Sequence, residues 1–222
     1  MFAKQLLNSK FSPLHLSDPA STALARMDAW QTYEIPVINP ATLQLEGVVR
    51  HGMISDLADE SVTLDNFELD ESVAVYENQH IFEIARRMLQ HELRFIVVID
   101  DTGSYAGIID KKELLEALTS MLNVSTSGSV ITVEMARADF TLSKLVHVIE
   151  TEGAKILGLT VENVEDESAI LQISIKLDLQ DTSAVVSSLE RHGYVATTEN
   201  RFDVMQTDLS SRADELLRYL DL

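Results

Sequence analysis

Apolar and polar positions alternate in two rhythms along the first half of the chain. Ile81, Ile84, Ala85, Met88 and Leu89 fall at helical spacing and predict an amphipathic helix. Phe95 to Ile99 follows as a continuous apolar run of strand length, rich in β-branched residues. Asp100-Asp101-Thr102-Gly103 is a turn signal, and Tyr105 to Ile109 reads as the return strand. Lys112 to Leu122 then carries Leu114, Leu115, Leu118, Met121 and Leu122 as the apolar stripe of a second helix.

The same series occurs earlier. Arg26-Met27 precedes Val37-Ile38 at the distance that separates Arg87-Met88 from Val98-Ile99, and Gly47-Val48-Val49 answers Gly107-Ile108-Ile109. The interval from Asn39 to Gly47 is one residue longer than that from Asp100 to Gly107, a loop-sized difference. A period near 60 marks one supersecondary unit that has been duplicated. Each copy predicts helix, strand, turn, strand, helix. One copy alone buries its sheet on one side, and two close a shared core. The copies are expected at residues 1–62 and 63–124.

Ser125-Thr126-Ser127-Gly128-Ser129 is a small polar linker, after which the pattern changes. Val130 to Met135 predicts a strand, and Leu142, Leu145, Val146 and Ile149 a helix stopped by Gly153. Ile156 to Val164 and Ala169 to Leu177 predict two strands joined by the acidic turn Glu165-Asp166-Glu167-Ser168. Asp181 to His192 predicts a helix stopped by Gly193, and Tyr194 to Thr198 begins a fourth strand. The order β-α-β-β-α-β over residues 125–207 is the ferredoxin-like plan. A capped amphipathic helix is expected over 208–222, with Leu209, Ala213, Leu216, Leu217 and Leu220 on one face.

Ile35-Pro36-Val37-Ile38-Asn39, Val97-Val98-Ile99-Asp100 and Gly107-Ile108-Ile109-Asp110-Lys111-Lys112-Glu113-Leu114 resemble the strand and strand-to-helix motifs of the CBS domain, a module that occurs in tandem pairs. The last domain resembles the ACT family of small regulatory domains. The whole layout is similar to the acetoin-utilisation regulatory proteins. The resemblance implies an α/β (α+β) chain, a tandem CBS pair followed by a ferredoxin-like, ACT-like domain.

In ligand-binding CBS members, a Thr and an Asp of the last motif hold the phosphate and ribose of an adenine nucleotide. Here those positions are Arg50 and Met53 in the first copy, Asp110 and Glu113 in the second. Met53 offers no ribose acceptor, whereas Glu113 retains a carboxylate suited to ribose hydroxyls. Asp110 repels a phosphate, and in the alternative reading it caps the following helix in a box with Glu113. Arg50 is a phosphate candidate or a solvated, ion-paired side chain. The candidate ligand residues are thus Asp110, Glu113 and Arg50. Phe140 aligns with the ACT glycine before the first helix, where its bulk argues against the usual amino-acid pocket; the alternative is that it fills the pocket or the partner interface as core.

Composition narrows the function classes. The net charge of −19 repels nucleic acid and anionic lipid at long range. With no cysteine there is no disulfide, thiolate metal site or cysteine nucleophile. The N-terminus reads as no signal peptide, and no apolar run approaches the roughly 20 residues of a membrane span. None of the six histidines is spaced as a metal pair, and no P-loop, Gly-x-Ser-x-Gly or Gly-x-Gly-x-x-Gly occurs. The expectation is a cytoplasmic, homodimeric, non-catalytic regulator without metal. Its CBS pair would bind an adenine nucleotide or related small ligand. The alternative is a scaffold for a protein partner with a ligand-free cleft.

Overall fold

The computed structural model describes residues 1–8, 11–163 and 169–198. The chain divides into two compact units, Met1–Leu118 and Thr119–Leu222. The helix expected over 208–222 and the turn Glu165-Asp166-Glu167-Ser168 lie outside the described residues.

In the first unit the duplication is a duplication of topology. The first copy contains β1 (Leu14–His15), α1 (Ala20–Trp30), β2 (Glu34–Ile38), β3 (Leu45–Arg50) and α2 (His51–Ile54). The second contains β4 (Ala74–Tyr76), α3 (Ile81–Gln90), β5 (Phe95–Ile99), β6 (Tyr105–Asp110) and α4 (Lys111–Met121). Each copy forms a three-stranded sheet, β1-β2-β3 or β4-β5-β6, with the first pair parallel and the second antiparallel. The antiparallel ladders even slip at the same place, between Val37 and Ile38 and between Val98 and Ile99.

Leu14, Met27, Ile35, Val37, Val49 and Ile54 of the first copy bury against Leu64, Phe95, Val97 and Ile108 of the second. Each such side chain removed from water contributes about 1.5–3 kcal/mol, so neither half keeps its core without the other.

Three features differ from the sequence pattern. Strands β1 and β4 precede the helices; at two and three residues they are too short to show a period. The helix closing the first copy is a four-residue stub, α2, where α4 has eleven. The buried face of α3 is Ile81, Ile84 and Met88, while Leu89 is 76% exposed, because one residue further turns the side chain by about 100°. On α4 the buried residues are Leu114 and Ala117, and Leu115 is exposed.

Each copy is finished by a segment that arrives from outside it. Asn8 bridges to Ile108 of β6, and Asp70 bridges to Val48 of β3. Backbone bonds from Ala3 to Gln79 and from Lys4 to Glu77, both 3.0 Å, hold the first residues on the second copy. These crossings explain the repeated glycines. Gly47 and Gly107 have φ of +154° and +155°, and a Cβ would meet Asp70 O at 2.7 Å in the one and Leu7 Cδ2 at 3.2 Å in the other.

The second unit contains β7 (Ser129–Ala136), α5 (Leu142–Thr151), β8 (Ile156–Asn163), β9 (Ile170–Leu177), α6 (Ser183–Arg191) and β10 (Val195–Thr198). The antiparallel sheet has the order β10-β7-β9-β8, the ferredoxin-like arrangement. Alternate residues Ile131, Val133 and Met135 of β7 face Leu145, Val148 and Ile149 of α5 and Val185 and Leu189 of α6 in one core. Leu142, expected on the buried helix face, is exposed at the first helical position.

Candidate functional site

The chemistry of the first unit concentrates where β6 runs into α4. Asp110, the last residue of the strand, accepts the Glu113 N–H on Oδ1 at 2.9 Å. Its own N–H donates to Glu113 Oε2 at 3.1 Å. This is a reciprocal capping box. Burial raises the Glu113 carboxyl above its ordinary value, and the Asp110 N–H pulls it the other way. The Lys111 N–H donates to the Arg94 carbonyl at 3.0 Å. Three amides at this helix start are therefore engaged within the protein.

The helix start borders a cleft of about 290 Å³. Phe11, Trp30 and Phe95 give it an aromatic wall, and Ile108 adds to its apolar lining. The rings pack on one another, with centroids 4.9 Å apart for Phe11–Trp30 and 5.5 Å for Phe11–Phe95. Arg94, Lys111 and Lys112 line it alongside Asp110. Arg94 is positioned by a 2.7 Å bond from Nη1 to the Gln31 carbonyl, across the two copies. Lysines in the first turn of a helix oppose its dipole, by roughly 0.3–1 kcal/mol each. Their place is thus unfavourable for the helix and favourable for an anion in the cleft. An apolar slot beside cations suits a flat, negatively charged small molecule. The residues lining this cleft include no nucleophile paired with a base.

The corresponding part of the first copy is different. Arg50 Nη1 lies 2.7 Å from Asp70 and Nε 3.3 Å from Glu34. The Arg50 N–H donates to Met53 Sδ at 3.3 Å, a thioether standing where the second copy has the Glu113 carboxylate. The cleft here is about 30 Å³. Among the sequence candidates, Asp110 lines the open cleft, Glu113 is bound to it from the helix, and Arg50 lies on the other cleft. The basic pair Arg86-Arg87 makes no open basic patch, since both guanidinium groups bind Glu83 and hold its carboxyl down at about 2. Asp100, in the turn between β5 and β6, organises it by accepting the N–H groups of Thr102 and Ser104 at 2.8 and 2.9 Å.

Trp30, Phe11, Arg94, Lys111 and Lys112 were not singled out by the motifs. They come from separate stretches that only the tertiary fold brings together. The two adjacent lysines opening a helix were the one available signal.

The second unit holds a larger cavity of about 760 Å³ where β7 meets α5 and α6 meets β10. Thr141, Lys144 and His147 line one side, His192 and Tyr194 another. Phe140 is half-buried against the core beside it and does not line it. Among the described residues no group of three His, Asp or Glu is placed to hold a metal ion, and no helix is long and apolar enough to cross a membrane.

Residues 67–120 match the CBS domain family model. No curated protein matches the chain. Among solved structures, the chain is similar to a CBS domain pair/ACT domain protein from Thermotoga maritima. The two are 24% identical over 55% of this chain and 99% of the other, with a TM-score of 0.48. It is also similar to the CBS domains of a transcriptional regulator from Streptococcus pneumoniae, at 19% identity over 52% and 98% of the chains and a TM-score of 0.47. The CBS domain of a bacterial CNNM/CorC family Mg²⁺ transporter in complex with ATP is 14% identical over 54% and 87%, with a TM-score of 0.44. The chain thus carries a CBS domain at 67–120, within a mixed α+β fold of two like halves followed by a ferredoxin-like unit.

Proposed function

We propose that this protein is a non-catalytic regulator whose CBS pair senses an adenine nucleotide, or a small anion of like shape, in the cleft of the second copy. The observation that carries this reading is the meeting of three aromatic rings with Arg94, Lys111 and Lys112 around one opening in a chain of net charge −19. Long-range repulsion by the acidic surface makes a local cationic cleft selective for its occupant rather than generally attractive to polyanions. Asp110 and Glu113 shape the helix start at that cleft. The ferredoxin-like, ACT-like unit then serves dimerisation or a second ligand. The layout supports kinship with the acetoin-utilisation regulatory proteins and a cytoplasmic setting. Calorimetry with ATP, AMP and adenosine is expected to show binding strengthened by phosphate. No heat at millimolar nucleotide rejects the reading.

A scaffold for a protein partner is the second reading, and exposed apolar side chains favour it. Phe82 is 59% exposed, Leu115 61%, and Leu89 is the most exposed large hydrophobic of the three. A second copy of the chain is the proposed cover. Light scattering at micromolar concentration is expected to report a dimer, and a monomer removes this support. Recovery of a stoichiometric partner that is retained when nucleotide is absent favours the scaffold.

A further inference from the structure

The two halves of the pair are related position by position, so their clefts can be compared residue against residue. In the β2–β3 ladder Glu34 pairs with Arg50, and in the β5–β6 ladder Phe95 pairs with Asp110. Glu34 therefore stands where the second copy has the aromatic Phe95, and Arg50 where it has Asp110. The crossing segments correspond too. Asp70 bridges to Val48 as Asn8 bridges to Ile108. At three matched positions an aromatic ring, a carboxylate and a neutral amide become a carboxylate, a guanidinium and a carboxylate. Those three charged groups bind one another, Arg50 to Asp70 at 2.7 Å and to Glu34 at 3.3 Å.

We infer that the pair takes its ligand on one side only: the cleft of the second copy is the anion site, and the Arg50–Asp70–Glu34 cluster closes its counterpart in the first. This rests on the nucleotide-sensing reading and extends it to the number of sites and to what closes the counterpart. Size and charge agree. The closed cleft has about 30 Å³, roughly the volume one water occupies in the liquid, against about 290 Å³. Its lining holds the carboxylates of Glu34 and Glu71 against Arg50 alone, whereas the open cleft holds Arg94, Lys111 and Lys112 against Asp110 alone. A nucleotide is both too large for the first cleft and repelled by it. With its hydrogen bonds given to neighbouring carboxylates, Arg50 is turned from a phosphate ligand into part of the seal.

The chain contains a single tryptophan, Trp30, which lines the open cleft and not the closed one. ATP titration read by Trp30 emission therefore reports the second-copy site, while calorimetry counts every site. One ATP per chain is expected, with the two signals saturating together. Lys111→Glu/Lys112→Glu, at exposed positions, is expected to weaken ATP binding by at least about tenfold by reversing the charge of the opening. Arg50→Ala is expected to leave affinity within about twofold and the count at one, since the carboxylates of Glu34, Asp70 and Glu71 that remain repel a phosphate from the first cleft. Two ATP per chain would overturn one-sided occupancy while leaving nucleotide sensing in the second copy intact; calorimetric binding that leaves Trp30 silent and survives the lysine reversal, or loss of binding in Arg50→Ala, would move the site and overturn both. Absence of ATP binding in the wild type overturns both.

Discussion

Replacing Gly128 by alanine is expected to destabilise the second unit by about 3–4 kcal/mol, among the largest effects of any single methyl group in this chain. Gly128 stands immediately before β7 with φ of +139°, and a Cβ there would lie 1.9 Å from the Leu177 carbonyl oxygen and 3.1 Å from its carbon. The obstacle is backbone at the end of β9, the strand paired with β7 from Ser129↔Leu177 onward. It cannot rotate aside as a side chain would, so relief requires opening the ladder at its first pair. Backbone strain at φ > 0 adds about 1–2 kcal/mol for a residue with a Cβ. For a unit of this size the loss corresponds to a melting temperature lower by about 15–25 °C. Gly153→Ala is the control: its φ is +81° but nothing lies within 4 Å of the added carbon. It should cost about 1 kcal/mol. Equal effects from the two variants would show that the approach of Leu177 is not what holds Gly128.

Truncating Phe95 to alanine is expected to cost the first unit about 3–5 kcal/mol. The ring is 5% exposed, belongs to the core shared by the two copies, and lies 5.5 Å from Phe11. It also lines both clefts, so its removal opens the wall that separates core from ligand space. Urea unfolding should show a lower midpoint at unchanged slope, because the surface exposed on unfolding hardly changes. Trp30 emission should shift to the red as Phe11, its neighbour at 4.9 Å, loses its backing. Phe95→Leu conserves most of the volume and should cost less than about 1.5 kcal/mol. An unfolding free energy within about 1 kcal/mol of wild type for Phe95→Ala would mean that the two copies do not depend on this contact.

The duplication was legible because its signals are local and strong. Gly47 and Gly107 stand at one backbone position with nearly equal φ, and Val37-Ile38 and Val98-Ile99 carry the same slip in register. The capping reading of Asp110 and Glu113 was legible for the same reason, since both partners lie within one helical turn. The cleft was not. Its aromatic wall draws on Phe11, Trp30 and Phe95, whose separations follow no period, and its asymmetry depends on Asp70, which belongs to a connecting segment. The exposure of Leu89 was missed because spacing alone gives the helix its stripe but not the limit of that stripe, which depends on the width of the surface it meets.

The crossing of Met1 to Asn8 onto the second copy has a consequence in time. About a hundred residues separate Asn8 from Ile108, its partner. At a synthesis rate of about 5–20 residues per second, this segment leaves the ribosome about 5–20 s before the strand that receives it. Until then Leu7 has no Gly107 to lie on, and the first half of the pair has core residues with no opposite face. The pair is therefore a unit of biosynthesis as well as of structure: the segment made before either sheet is among the last parts to be secured.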